Sequence, residues 1–184
     1  MQAAGVAVVD CGGGHADRPY QRAKALIALG YRTAIFRDDD VRPSQALQTE
    51  VTSLGGTTFT WFDGQDIESA IVFNVSDHIL LQMLDYAVSI HGIDLIAAHI
   101  SSASQGSDNL QNIRNFLFSP QHSSSPLQRN ILARACSGKN AWFKSVTHME
   151  HVALHILGPN QGGINPALTS KINELLGWAQ TTYG

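Results

Sequence analysis

Three consecutive carboxylates, Asp38, Asp39 and Asp40, stand at the end of the short apolar run Thr33-Ala34-Ile35-Phe36. β-Branched and aromatic residues between a helix stop at Gly30 and a turn at Pro43 predict a buried strand there. In an open α/β sheet, ligands collect beyond the carboxyl ends of the strands, which is where these acids fall. Alternation along an extended chain turns Asp38 and Asp40 to one side and Asp39 to the other. Two carboxylates so placed repel unless a cation or a proton lies between them, and hard oxygen donors suit Mg²⁺ or Mn²⁺ better than zinc. The same residues also read as a solvated acidic turn in which Asp40 sets up a helix beginning near Ser44. A second acidic group, Asp66 and Glu68, follows the apolar run Thr57 to Phe62. If the two strands are neighbours, either acid can join Asp38 and Asp40 at one cation; at the start of a helix, each equally complements the helix dipole.

The elements that must position these acids can be read in order. Gly5-Val6-Ala7-Val8-Val9-Asp10 is apolar without alternation, as a strand covered on both faces of a parallel sheet would be. It breaks at Cys11-Gly12-Gly13-Gly14-His15. Asp17 and Pro19 then open a helix whose apolar face is Tyr20, Ala23, Leu26 and Ile27. A Gly-rich turn before a helix can hold phosphate on free backbone N–H groups, but Gly12-Gly13-Gly14 matches neither the dinucleotide nor the P-loop pattern, and tight-turn geometry is the simpler role. A second helix is expected from Ser44 to Leu54, a strand from Thr57 to Phe62, and a short helix from Asp66. Ser76 caps a stronger helix with Ile79, Leu80, Met83, Leu84, Ala87 and Ile90 on one face, ending at His91-Gly92. Serine-rich stretches at 101–107 and 119–126 read as exposed loops, the first a candidate boundary. Further helices are expected over 127–136, 147–157 and 166–179. The chain thus reads as α/β: a parallel sheet flanked by helices within residues 1–90, then a mostly helical region over 91–184.

Charge is divided unevenly along the chain. The net charge of −3 conceals 13 acidic against 6 basic residues over 1–108, and 2 against 6 over 109–184. No acid occurs between Gln111 and Met149, where Arg114, Arg129, Arg134, Lys139 and Lys144 all lie. An acidic half that collects metal and a basic half that collects phosphate suit a metal-dependent enzyme acting on nucleic acid; the alternative is a chance clustering of solvated cations. His148, His151 and His155 line one helix face, where zinc is conceivable, but the H-E-x-x-H order is absent and a polar helix face is the simpler reading. Cys11 and Cys136 form no C-x-x-C pair and fit a reducing cytoplasm. With 43% hydrophobic residues the chain can build a core. No apolar run approaches the ~20 residues needed to span a bilayer, and Met1-Gln2-Ala3-Ala4 lacks the basic start of a signal peptide.

Taken together, Val6 to Gly14, Ala25-Leu26-Ile27-Ala28-Leu29-Gly30-Tyr31, Asp38-x-Asp40, Ile67-Glu68 and Ala141-Trp142-Phe143-Lys144 followed by Glu150 resemble the C-terminal region of OLD-family (overcoming lysogenization defect) ATP-dependent endonucleases, whose nuclease centre is a Toprim domain. The resemblance implies a Toprim-like fold and two-metal cleavage of DNA with Mg²⁺ or Mn²⁺. It assigns Asp38 and Asp40 to the first metal, Glu68 to the second, and Lys144 to the scissile phosphate. Paired cations clamp the attacking and leaving oxygens, and a lysine stabilises the developing charge. Toprim domains carry an upstream strand ending in Glu-Gly, which this sequence begins too late to contain. No Walker motif of the family's ATPase domain occurs either. The expectation is an incomplete site that binds Mg²⁺ weakly and cleaves DNA poorly or not at all, with DNA as substrate and a second copy of the chain as a candidate partner.

Two other readings compete. A haloacid-dehalogenase-type phosphatase also places D-x-D after a strand, with the first Asp as nucleophile and the second as general acid. Arg42 stands where that pattern expects Thr or Val, and a strand and helix precede the motif. A non-catalytic Toprim-like module for DNA docking or dimerisation predicts binding indifferent to divalent metal.

Overall fold

A computed structural model describes residues 5–12, 14–119, 125–138 and 141–181. Gly13 of the Gly-rich turn and Lys139 of the basic stretch lie outside the described residues. In chain order the elements are α1 (Arg18–Ala28), β1 (Ala34–Arg37), α2 (Gln45–Ser53), β2 (Thr57–Thr60), α3 (Ile67–Asn74), α4 (Asp77–His91), α5 (Ile93–Ala103), α6 (Leu110–Phe118), α7 (Pro126–Cys136), α8 (Val146–His151), a π-helical turn (Val152–Leu157), a 3₁₀ segment (Gly158–Gly163) and α9 (Pro166–Gln180). The fold is mixed α/β and mostly helical. Among the described residues no helix is long and apolar enough to cross a membrane.

The chain forms two compact units, Met1–Asp66 with Ser170–Gly184, and Ile67–Thr169. In the first, β1 and β2 pair in parallel, Ala34 opposite Thr57 through Arg37 opposite Thr60, with α2 as the crossover that a parallel pair requires. Tyr20 and Ala23 of α1 meet Ile35 of β1 and Val51 of α2 in a small core, with Ile27 and Leu47 packed against it. Gly56 is placed tightly here: a Cβ on it would stand 2.5 Å from Val51 Cγ1. Trp178 of α9 packs edge-on against Phe59 of β2, and the Arg32 guanidinium lies 4.1 Å from the Trp178 ring while donating to the carbonyls of Trp178 and Thr181. Arg32 thereby satisfies carbonyls that the end of α9 leaves without helical partners.

The expected first strand is not formed. Gly5 to Asp10 pairs with neither strand, and Val8 and Val9 are 80% and 55% exposed. Local bonds hold the end of this segment: the Asp10 carboxylate accepts from Gly12 N at 2.7 Å, and its carbonyl accepts from Arg22 at 2.8 Å. An unalternating apolar run becomes a buried strand only where both faces find cover, and here its valines lie open. Among the described residues the sheet is therefore one strand pair rather than the broader sheet expected over 1–90.

The second unit is built from α3 to α8. The expected apolar face of α4 is its core: Ile79, Leu80, Met83, Leu84 and Ala87 are buried, beside Ile96 and Ile100 of α5, Ile113 of α6 and Leu132 of α7. Arg129 of α7 organises one end of it. Its guanidinium donates to the carbonyls of Val72 at 2.5 Å and Val75 at 2.9 Å, and pairs with Asp77 at 2.6 Å. One arginine thus satisfies the end of α3 and neutralises the first acid of α4.

Candidate functional site

β1 ends at Arg37, so strand alternation does not carry through the three acids that follow. Asp38 and Asp40 are exposed, whereas Asp39 is buried at 8%. The chain bends here because Asp39 is held from several directions. Its carboxylate pairs with Arg37 at 2.9 Å and Arg42 at 3.4 Å, and accepts from Gly64 N at 3.1 Å; its own N–H donates to the Gln65 carbonyl at 2.9 Å. Gly64 has φ of +69°, a left-handed conformation that glycine adopts without strain and that turns its N–H onto the acid. The Gly64 hydrogen bond, followed by the two arginines and against the effect of burial, holds the Asp39 carboxyl below its ordinary value of 3.8.

Arg37 ties this arrangement to the core. Its Nε donates to Tyr20 Oη at 3.2 Å and its terminal nitrogens to the carbonyls of Asp38 at 2.6 Å and Val41 at 3.4 Å as well as to Asp39. Arg42 also pairs with Asp63 at the end of β2. The middle acid is therefore a structural anchor between the ends of β1 and β2, and no feature of the D-D-D string marks it as such. Asp40 Oδ1 accepts from Val41 N at 2.9 Å.

Among the described residues no group of three or more His, Cys, Asp or Glu side chains is arranged to hold a metal ion. Mg²⁺ often takes only one or two carboxylates and keeps several waters, so two exposed acids of the right donor type suit one hydrated ion. The Arg37 and Arg42 guanidinium groups on the adjoining acid oppose a further positive charge beside it. Asp38 and Asp40 belong to the first compact unit, Glu68 and Lys144 to the second. Glu68 is buried at the start of α3, and Lys144 is exposed in the segment before α8.

The basic stretch is partly spent on structure. Arg129 is engaged as described, and Arg114 pairs with Asp85 of α4 at 2.6 Å; Arg134 and Lys144 are exposed. The histidines of α8 and the following turn meet aromatic rings. Tyr86 stacks on His151 at 4.1 Å and on Phe143 at 5.9 Å, and its hydroxyl is 3.0 Å from His148 Nδ1; His155 lies 4.6 Å from His151, ring to ring. No family model, curated protein or solved structure matches the chain.

Proposed function

We propose that the chain is the Toprim-like module of a metal-dependent DNA endonuclease resembling the OLD family, holding Mg²⁺ or Mn²⁺ weakly at Asp38 and Asp40 and insufficient for efficient cleavage alone. The observation that carries this reading is the exposed pair of carboxylates beyond the end of a parallel strand, on either side of a buried, neutralised aspartate. Such acids would hold the ion and let a phosphate oxygen complete its shell; roles for Glu68 at a second ion and Lys144 at the scissile phosphate are what the resemblance implies. The ion supplies Lewis acidity when bound. Asp39, Arg37 and Gly64 fix the turn from which its ligands project.

The two guanidinium groups beside the turn favour a second reading, a Toprim-like module that docks DNA or dimerises without metal. Calorimetric titration of Mn²⁺ into the wild type and the Asp38→Asn/Asp40→Asn double variant, with cleavage of supercoiled plasmid in parallel, separates the two. Binding lost in the variant, with little or no cleavage by either protein, is the expected result. Metal-dependent nicking abolished by the substitutions would mean that the site is complete. Absence of Mn²⁺ binding, or binding unchanged in the variant, would overturn the metal reading and leave the docking module.

A further inference from the structure

Two of the three polar groups of Trp142 are held by histidines from different helices, and the third, its backbone N–H, donates to the Cys136 carbonyl at 3.2 Å. Its indole N–H donates to Nδ1 of His99 on α5 at 3.1 Å, and its backbone carbonyl accepts from Nε2 of His91 at the end of α4 at 2.7 Å. The side chain is 3% exposed, beside Phe143, which is also buried. An indole nitrogen only donates, so the partner nitrogen of His99 must carry a lone pair. His99 is therefore neutral in this arrangement, with its proton on Nε2. The His91 bond has the opposite requirement: a carbonyl accepts, so His91 Nε2 carries hydrogen, as it does in both neutral and protonated imidazole.

We propose that His99 and His91 form a pH-sensitive clamp on Trp142, closed while His99 is neutral and opened when its Nδ1 takes a proton from solvent. Protonation sets an N–H donor against the indole N–H donor and brings a cation towards His91. The two grips are unequal, because His91 keeps its bond when protonated and His99 loses its own. His99 is the sensing residue and His91 the hinge. Opening frees the indole while the carbonyl stays tethered, and the segment bearing exposed Lys144 moves with it.

The other charged groups on α4, α5, α7 and the segment bearing Trp142 are paired elsewhere or exposed, and His91 is the charge that acts on His99. On α4, Asp77 is engaged by Arg129 of α7, Asp85 by Arg114 of α6, and His78 by Gln82. Arg134 of α7, Asp94 of α5 and Lys144 of the clamped segment are exposed, and His148 of α8 lies edge-on to His91 at 6.2 Å between rings. Burial, followed by the charge of His91, holds His99 below its ordinary value of 6.5. The clamp itself does not rest on the metal reading, since neither histidine nor Trp142 belongs to the acidic turn, although the segment it holds carries Lys144.

The test uses the full chain with Trp61→Phe and Trp178→Phe, leaving Trp142 as the emitter. Lowering pH from about 8 to about 5, the range over which imidazoles titrate, is expected to shift its emission to longer wavelength with a midpoint below 6.5. The added His99→Gln substitution, whose amide oxygen accepts the indole N–H without titrating, removes the shift. No shift in the parent, or the same midpoint with glutamine at this position, overturns the clamp. Nitrogen-15 NMR of the wild-type chain gives a second reading without substitution. A bare Nδ1 on neutral His99 that protonates below the ordinary range is expected; Nδ1 protonated in the neutral form overturns it.

Discussion

One ionisable side chain in each compact unit, Asp39 in the first and His99 in the second, is held by opposite means. In the first, Asp39 is kept charged and surrounded by donors: two guanidinium groups and a backbone N–H converge on one carboxylate. In the second, His99 is kept neutral by burial and by another histidine, and its lone pair serves as an acceptor for Trp142. An ion pair formed by a lowered carboxyl persists through the physiological range, whereas a neutral imidazole is lost on mild acidification. The first arrangement fixes a turn and the second permits a change. The carboxylates proposed to hold a metal flank the fixed one, and the proposed pH-sensitive contact belongs to the other unit.

The sharpest way to break the comparison is to remove a fixed charge from the second unit as well. Arg129→Ala removes the ion pair to Asp77 and the donor to two carbonyls and is expected to cost about 2–3 kcal/mol, less than a fully buried pair would because both side chains are partly exposed. Urea denaturation read by Trp142 fluorescence measures it, and a loss below about 1 kcal/mol would place this arginine with surface ion pairs. Asp39→Ala is next, at about 2–3 kcal/mol, since it strips a charged acceptor from Arg37 and Gly64. Asp40→Ala, which loses a bond only to its own neighbour's N–H, is expected to stay within about 0.5 kcal/mol. Equal effects at the two aspartates would refute the division of the turn into one anchor and flanking acids. Gly56→Ala is expected to cost about 1–3 kcal/mol, because its Cβ meets Val51 in the core of the first unit. Thermal unfolding followed by circular dichroism would show it as a lower Tm.

What the sequence disclosed follows the range of the interactions involved. The strands at β1 and β2 and the apolar face of α4 are legible because local periodicity records them. Gly5 to Asp10 misled because its composition has the character of a strand while its cover depends on distant partners. Alternation set Asp39 apart from Asp38 and Asp40, as their exposure also does, but not the burial of Asp39, which follows hydrogen bonds to Gly64 and Gln65 after the strand has ended at Arg37. The basic half looked like a phosphate surface, yet Arg129 and Arg114 answer acids on α4 far back in the sequence. The grip of His91 and His99 on Trp142 joins residues 51 and 43 positions apart and has no local signature. Aspartates grouped at a strand end can be seen in a sequence; which of them is buried cannot, because residues across the unit decide it.

The smallest expected effect is also the one that separates the two strategies along a single axis. His99 has its folded-state pKa below the ordinary 6.5, so the unfolded chain binds the extra proton first as pH falls. Its contribution is whole above 6.5 and declines as pH drops through that value towards the lowered one. Asp39 is lowered from 3.8, so its contribution is whole above 3.8 and declines only as pH falls further. Acidification from neutrality should therefore weaken the second unit, read by Trp142, before the Asp39 network of the first unit, read by Trp61 and Trp178, begins to fail. Urea titrations at successive pH values on variants retaining one reporter or the other make the measurement. His99→Gln should flatten the earlier decline and leave the later one in place, and Asp39→Asn should do the reverse. If both reporters weaken together near neutrality and neither substitution separates them, the carboxylate and the imidazole are not independent devices and the contrast fails.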